Sequence, residues 1–209
     1  MIKKRNLIIT AHPDDAEITM GGTIKKMTTL GHEVKNLIIC LPSEPEIRID
    51  EAKKSAKLLG MDVEFLEKNK TSIAEDHTLF YLITKLDRVI EEYQPDSIYT
   101  HFIKDSHQDH RIVAQAVLTC FRKHKCDLLS FEQINQNNLI TSNQFIPNLY
   151  VDISEYFQEK IKSLEIHKSQ MVGHMTHYLI DVEKLAEWRG HQSGNRYAES
   201  FLIIHKKDF

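Results

Sequence analysis

Short apolar runs of strand length alternate with amphipathic segments of helix length along most of the chain, and no other feature constrains the fold as tightly. Residues 6–11 form an apolar run that ends in a His-Pro turn, and residues 34–41 (VKNLIICL), 62–66, 97–102 (SIYTHF) and 127–131 (DLLSF) repeat the signal. Between these runs the spacing predicts helices over 21–30, 47–59, 79–93 and 110–124. Ile24, Met27 and Leu30 share one face of the first, and Ala52, Ala56 and Leu59 one face of the second. Gly31 and Gly60 stand where a left-handed residue ends each of them. Strands joined by helices of this length run parallel. The expected class is therefore α/β: a Rossmann-like, doubly wound, mostly parallel sheet flanked by helices, with ligands at the carboxyl ends of the strands.

Beyond Glu132 a polar stretch to residue 145 reads as a long loop. Strands at 149–154 and 197–205, a helix running through Gln170 and a short helix near 183–188 complete the chain. No internal repeat or linker interrupts it, so residues 1–209 are expected to form a single domain, large enough to bury roughly 70% of the unfolded surface.

A net charge of −3, with 27% charged residues, provides no basic field for nucleic acid, which leaves a small molecule as the expected partner. Cys40, Cys120 and Cys126 make an odd count, and the first residues lack the apolar core of a signal peptide. A reduced, cytoplasmic protein is expected. No apolar run approaches the ~20 residues that cross a bilayer, so no transmembrane segment is expected.

Two clusters carry chemistry. His12, Pro13, Asp14, Asp15 and Glu17 follow the first strand, and His101, Asp105, His107, Asp109 and His110 follow the fourth. Acidic residues at a strand-to-helix turn commonly cap the helix. That role explains neither His12 nor a second cluster at an equivalent strand end. Two histidines and one carboxylate would make a three-donor site with an open position, the pattern of catalytic zinc.

AHPDDAE followed by HQDHR resembles the PIG-L or LmbE-like family of N-acetylglucosaminyl deacetylases, and the resemblance extends through RIDEAKKSAKLLG, PDSIYTH, IPNLYVDIS, HKSQ and RGHQSGNRYAESF. It implies a zinc hydrolase that removes the acetyl group from an N-acetylated amino sugar or sugar conjugate. His12, Asp15 and His110 would be the metal ligands, with Zn2+ or another divalent ion such as Fe2+ as cofactor. Asp14 would be the general base toward the metal-activated water, and His107 would stabilise the oxyanion. Asp109 would orient a ligand histidine. Arg48 and, in the C-terminal pattern, Glu199 would contact the substrate, and the polar loops near the C-terminus would offer a homo-oligomer contact. Gly21 and Gly22 are read as permitting close packing of helix on sheet. The segment EKNKTSIAEDHTLF departs from the family pattern, which puts the shape of the sugar pocket in doubt.

Three rivals use the same residues. A zinc amidase could act on another small-metabolite amide, and a non-catalytic homologue could bind a nucleotide sugar without releasing acetate. A non-haem iron oxygenase shares the two-histidine, one-carboxylate donor set but usually sits in a β-rich barrel.

Overall fold

In the computed structural model, which describes residues 2–68, 70–134, 144–171 and 178–207, β1 (Arg5–Thr10) runs through the middle of a seven-stranded sheet. With β2 (Glu33–Ile38), β3 (Asp62–Phe65), β4 (Ser97–Thr100), β5 (Asp127–Phe131), β6 (Leu149–Asp152) and β7 (Ala198–His205), the strand order is β3-β2-β1-β4-β5-β7-β6. The first five strands pair in parallel, as expected. β7 runs antiparallel to both β5 and β6. The order reverses between β1 and β4, and a doubly wound sheet opens a ligand crevice at such a switch point.

Among the described residues six helices flank the sheet: α1 (Asp15–Thr29), α2 (Pro45–Leu59), α3 (Leu79–Tyr93), α4 (Gln108–Cys120), α5 (Phe157–Leu164) and α6 (Tyr178–Ser193). The alternation of strand side chains divides the core between the two faces. Leu7 and Ile9 of β1, with Ile98 and Leu128, pack against Leu82, Leu86 and Ile90 of α3 and Val113 and Val117 of α4. Ile8, with Leu129, Phe131 and Phe201, packs against Met20 and Ile24 of α1 and Ala56 and Leu59 of α2. Burying each of these large side chains contributes ~1.5–3 kcal/mol.

Several boundaries differ from the sequence expectation. α1 starts at Asp15 rather than at residue 21, because residues 15–24 are all buried and so present no polar face for helical periodicity to reveal. The helix is also broken at Met20 (φ −145°, ψ 24°). α4 stops at Cys120, and Asp87 of α3 gathers Arg122, Lys123 and His124 just beyond it. α5 ends at Leu164 and gives way to a 3-10 turn, Lys168–Gln170, while α6 is far longer than the short helix expected there. The expected loop over 133–145 falls largely outside the described residues.

The break at Met20 frees backbone groups that a continuous helix would satisfy internally. Glu199 of β7 accepts hydrogen bonds from the Gly22 and Thr23 N–H groups (3.0 and 2.7 Å). Lys160 of α5 donates to the Ile18 carbonyl (2.8 Å) and to Glu199 Oε1 (2.5 Å). A buried ion pair thus replaces the missing helical bonds. The glycines permit close packing here: a Cβ on Gly22 would lie 2.8 Å from the buried side chain of Ile153, which extends the β6–β7 pairing, and one on Gly21 would lie 3.1 Å from Lys160 of α5. Gly22→Ala should therefore cost ~1–3 kcal/mol of stability through overpacking, read as a lower urea midpoint. An unchanged midpoint would contradict this close approach.

Candidate functional site

Both histidine-containing clusters lie where the strand order reverses, at the carboxyl ends of β1 and β4. The turn after β1 closes on itself, with the His12 N–H donating to Asp15 Oδ2 (2.7 Å) and the Asp15 N–H pointing back to the His12 carbonyl (3.4 Å). Asp14 occupies the N-cap position of α1, yet its side chain makes no capping bond. Arg48 Nη2 of α2 donates to its Oδ1 instead (3.2 Å). The capping explanation therefore fails for both aspartates.

His12, Asp15 and His110 converge. His12 Nδ1 lies 3.3 Å from His110 Nε2 and 3.5 Å from Asp15 Oδ2, and His110 Nε2 lies 3.4 Å from Asp15 Oδ1. Donors arranged tetrahedrally around zinc at ~2.0–2.1 Å would stand ~3.3–3.4 Å from one another. The spacing of this all-buried nitrogen and oxygen set thus fits a metal ion.

The outer edges of both rings meet carboxylates. His12 Nε2 donates to Asp109 Oδ2 (3.0 Å), and His110 Nδ1 lies 3.2 Å from Asp105 Oδ2. Asp109 is held in turn by the Ala74 N–H (3.0 Å), which comes from the 3-10 turn Ala74–Asp76. The segment that departs from the family pattern therefore buttresses Asp109. Within it, Asp76 accepts from the Ile73 N–H and His77 stacks on Tyr81.

Electrostatics follows from this crowding. Burial alone would lower the His12 pKa, but Asp15 and Asp109 raise it to about 9. Burial is likewise outweighed at His110 by Asp15 and Asp105, which raise it to about 10. Asp15 stays well below the usual carboxylate range despite its burial, because His110, His101 and His12 surround it. His101 behaves oppositely: burial and the neighbouring His110 bring it down to about 4, and its Nε2 accepts the Ala11 N–H (2.9 Å). Its ring stacks on that of His110 at 3.9 Å.

A cavity of about 210 Å³ opens beside these groups, lined by His12, Asp14, Asp15, Arg48, His107 and His110 together with Pro42, Gln133, Gln170 and Tyr178. His107 caps α4 through Nδ1, which accepts the Asp109 N–H (3.2 Å). Arg48 is 3% exposed, so it is no surface arginine. Its Nη2 pairs with Asp14, while the nearby Glu51 carboxylate accepts from the Ser169 N–H and hydroxyl.

The structure does not bring Glu199 to this cavity; both of its oxygens are committed at the α1 break. Arg189 likewise binds Glu132, and Trp188 is exposed. Sequence reasoning assigned no role to Asp105, Gln133, Gln170 or Tyr178. Asp105 stood inside the second cluster and could have been weighed as a partner of His110, whereas the other three come from distant segments with no local signal.

A family model described as PIG-L, GlcNAc-PI de-N-acetylase, matches residues 7–121. A diacetylchitobiose deacetylase of Thermococcus kodakarensis is 27% identical, covering 96% of this chain and 83% of its own. A Bacillus cereus protein named "Probable N-acetyl-alpha-D-glucosaminyl L-malate deacetylase 2" is 26% identical over 81% of this chain and 84% of its own. Among solved structures, a conserved protein of Thermus thermophilus shares the fold with a TM-score of 0.81, at 20% identity, over 99% of this chain and 97% of its own.

Because the surrounding carboxylates raise the pKa of both His12 and His110, to about 9 and about 10, a metal ion entering between them displaces protons. Zinc uptake at pH 7.5 should release ~1–2 protons per ion, and the release should fade above pH ~10 as the rings lose their protons unaided. Titration calorimetry in buffers of different ionisation enthalpy measures it. Zinc uptake without proton release would mean that these rings are not the donors.

Proposed function

The chain belongs to the PIG-L family of de-N-acetylases, and from that premise we propose that it is a zinc-dependent hydrolase removing the acetyl group from an N-acetylated amino sugar or sugar conjugate of the N-acetylglucosamine type. The observation that carries this reading is the convergence of His12, Asp15 and His110 donor atoms, 3.3–3.5 Å apart, beside the separately held carboxylate of Asp14. In this reading the three residues hold the metal, and another divalent ion such as Fe2+ would suit the same donors. When bound, the ion supplies Lewis-acid polarisation of the amide carbonyl and brings the pKa of water near ~7.

The two aspartates divide the work. Arg48 holds Asp14 Oδ1, which leaves Oδ2 to take a proton from the attacking water and return it to the departing amine. His107, on the cavity wall, stabilises negative charge developing on the carbonyl oxygen, a contribution commonly worth several kcal/mol. Asp109 fixes the His12 ring. Arg48 also lines the cavity, where its guanidinium offers donors suited to a sugar oxygen. The cavity, at about 210 Å³, is smaller than the ~300 Å³ at the low end of ligand pockets. It accommodates the acetamide and its sugar ring, with the rest of any conjugate outside.

Residues 1–209 act as one catalytic domain in this reading. A cytoplasmic location is supported by three buried, unpaired cysteines. No helix among the described residues is long and apolar enough to cross a membrane.

The test is acetate release by zinc-loaded protein from a panel of acetamido sugars, free and conjugated, with two variants alongside. Asp14→Asn should keep its zinc and still bind substrate while losing at least ~100-fold in turnover. Asp15→Asn should lose zinc affinity together with activity and be partly rescued by added metal. No acetate from any acetamide would overturn the function, and near-normal turnover by metal-loaded Asp14→Asn would overturn the assignment of the base.

A further inference from the structure

His110 is fixed on more sides than a metal ligand requires. Its ring is sandwiched between His101, stacked at 3.9 Å and 14°, and His107, stacked at 4.5 Å and 23°. The sandwich sets the plane of the ring but not which nitrogen faces the cavity, because a half-turn about the Cβ–Cγ bond preserves both stacks. Asp105 removes the ambiguity. Its Oδ2 lies 3.2 Å from His110 Nδ1, and its Oδ1 accepts the His107 N–H at 2.8 Å. One carboxylate thereby grips the outer edge of His110 and the backbone of His107. The segment is tied down further by Arg111, which donates to the carbonyls of Asp105 (2.9 Å) and Ser106 (2.6 Å).

A purely structural explanation accounts for only part of this. The bond from Asp105 to the His107 N–H is a local turn that a neutral asparagine would make equally well. Asp105 is a carboxylate whose side chain is only 1% exposed, and it sits near the already buried Asp15. A charge in such a place is costly unless a specific partner compensates it. The partner present is the imidazole edge opposite the one that faces His12 and Asp15.

We infer that Asp105 is a positioning residue for the metal centre: its buried carboxylate, 3.2 Å from His110 Nδ1, favours the proton on that nitrogen and so leaves the Nε2 lone pair turned toward His12 and Asp15, and it couples that ligand to His107. The inference rests on the zinc reading above. It gives each histidine donor its own carboxylate, Asp109 for His12 and Asp105 for His110, and carboxylate partners of this kind typically change metal affinity 10–100-fold.

The test uses the full chain and compares zinc dissociation constants, measured by competition with a chromophoric chelator, for the natural protein and Asp105→Asn. The asparagine can keep the turn to His107 but lacks the charge that draws the His110 proton. Zinc binding should weaken ~10–100-fold, while the metal-free melting temperature falls far less than that loss implies. Turnover at saturating zinc should also drop, with KM little changed, because His107 is coupled to the same carboxylate. A second readout needs no variant: long-range proton–nitrogen correlation of the zinc-loaded natural protein should show His110 protonated at Nδ1. Unchanged zinc affinity in folded Asp105→Asn, or His110 found protonated at Nε2, would overturn the inference while leaving the hydrolase reading intact. If the natural protein binds no zinc at all, both fall.

Discussion

Asp15 is a carboxylate taken almost wholly out of water, and the organisation of this end of the molecule follows from what keeps it charged there. An isolated buried carboxylate would protonate, or would cost several kcal/mol. Here the His12 N–H donates to one oxygen, Gln133 reaches the other, and three imidazoles stand within 3.5 Å. Those rings come from the ends of β1 and β4 and from the first turn of α4. They can meet only because a doubly wound sheet brings the ends of its two switch-point strands together. The fold thus imposes the crowding, and the crowding is what suits the spot to a cation.

A second buried charge lets the same helix serve two purposes. α1 must begin at the candidate centre, where Asp14 and Asp15 form its first turn, and then lie closely against α5. The break at Met20 allows both. Glu199 and Lys160 restore the hydrogen bonds that the break removes. Removing one partner of such a pair commonly costs ~3–5 kcal/mol, because the other charge is left buried and uncompensated. Glu199 thus holds α1 together behind the candidate centre.

Much of this was legible in the sequence, for reasons that differ by residue. The parallel sheet was readable because its inner strands are continuous apolar runs and α2 and α3 keep a clear apolar stripe. The His12–Asp15 turn and the His107–His110 segment were readable because local spacing and a strand-end position both mark them. The first half of α1 was hidden by its complete burial. Glu199 sits in a motif that looks functional, but its partners are 177 and 39 residues away in sequence, and spacing carries no information on such a distance. Gln133, Gln170 and Tyr178 reach the cavity from three separate segments for the same reason. The loop that departs from the family pattern was expected to alter the sugar pocket, and its clearest visible task is to hold Asp109.

The central claim is that one metal ion sits between His12 Nδ1, Asp15 and His110 Nε2. Diffraction from crystals of the zinc-loaded protein, collected on both sides of the zinc absorption edge, tests it most directly. A single anomalous peak is predicted within ~2.0–2.2 Å of those three donors. A peak held by His107 and Asp109 with His12, or by His101 and Asp105 with His110, would contradict the account, as would fully zinc-treated crystals with no peak at this end of the sheet.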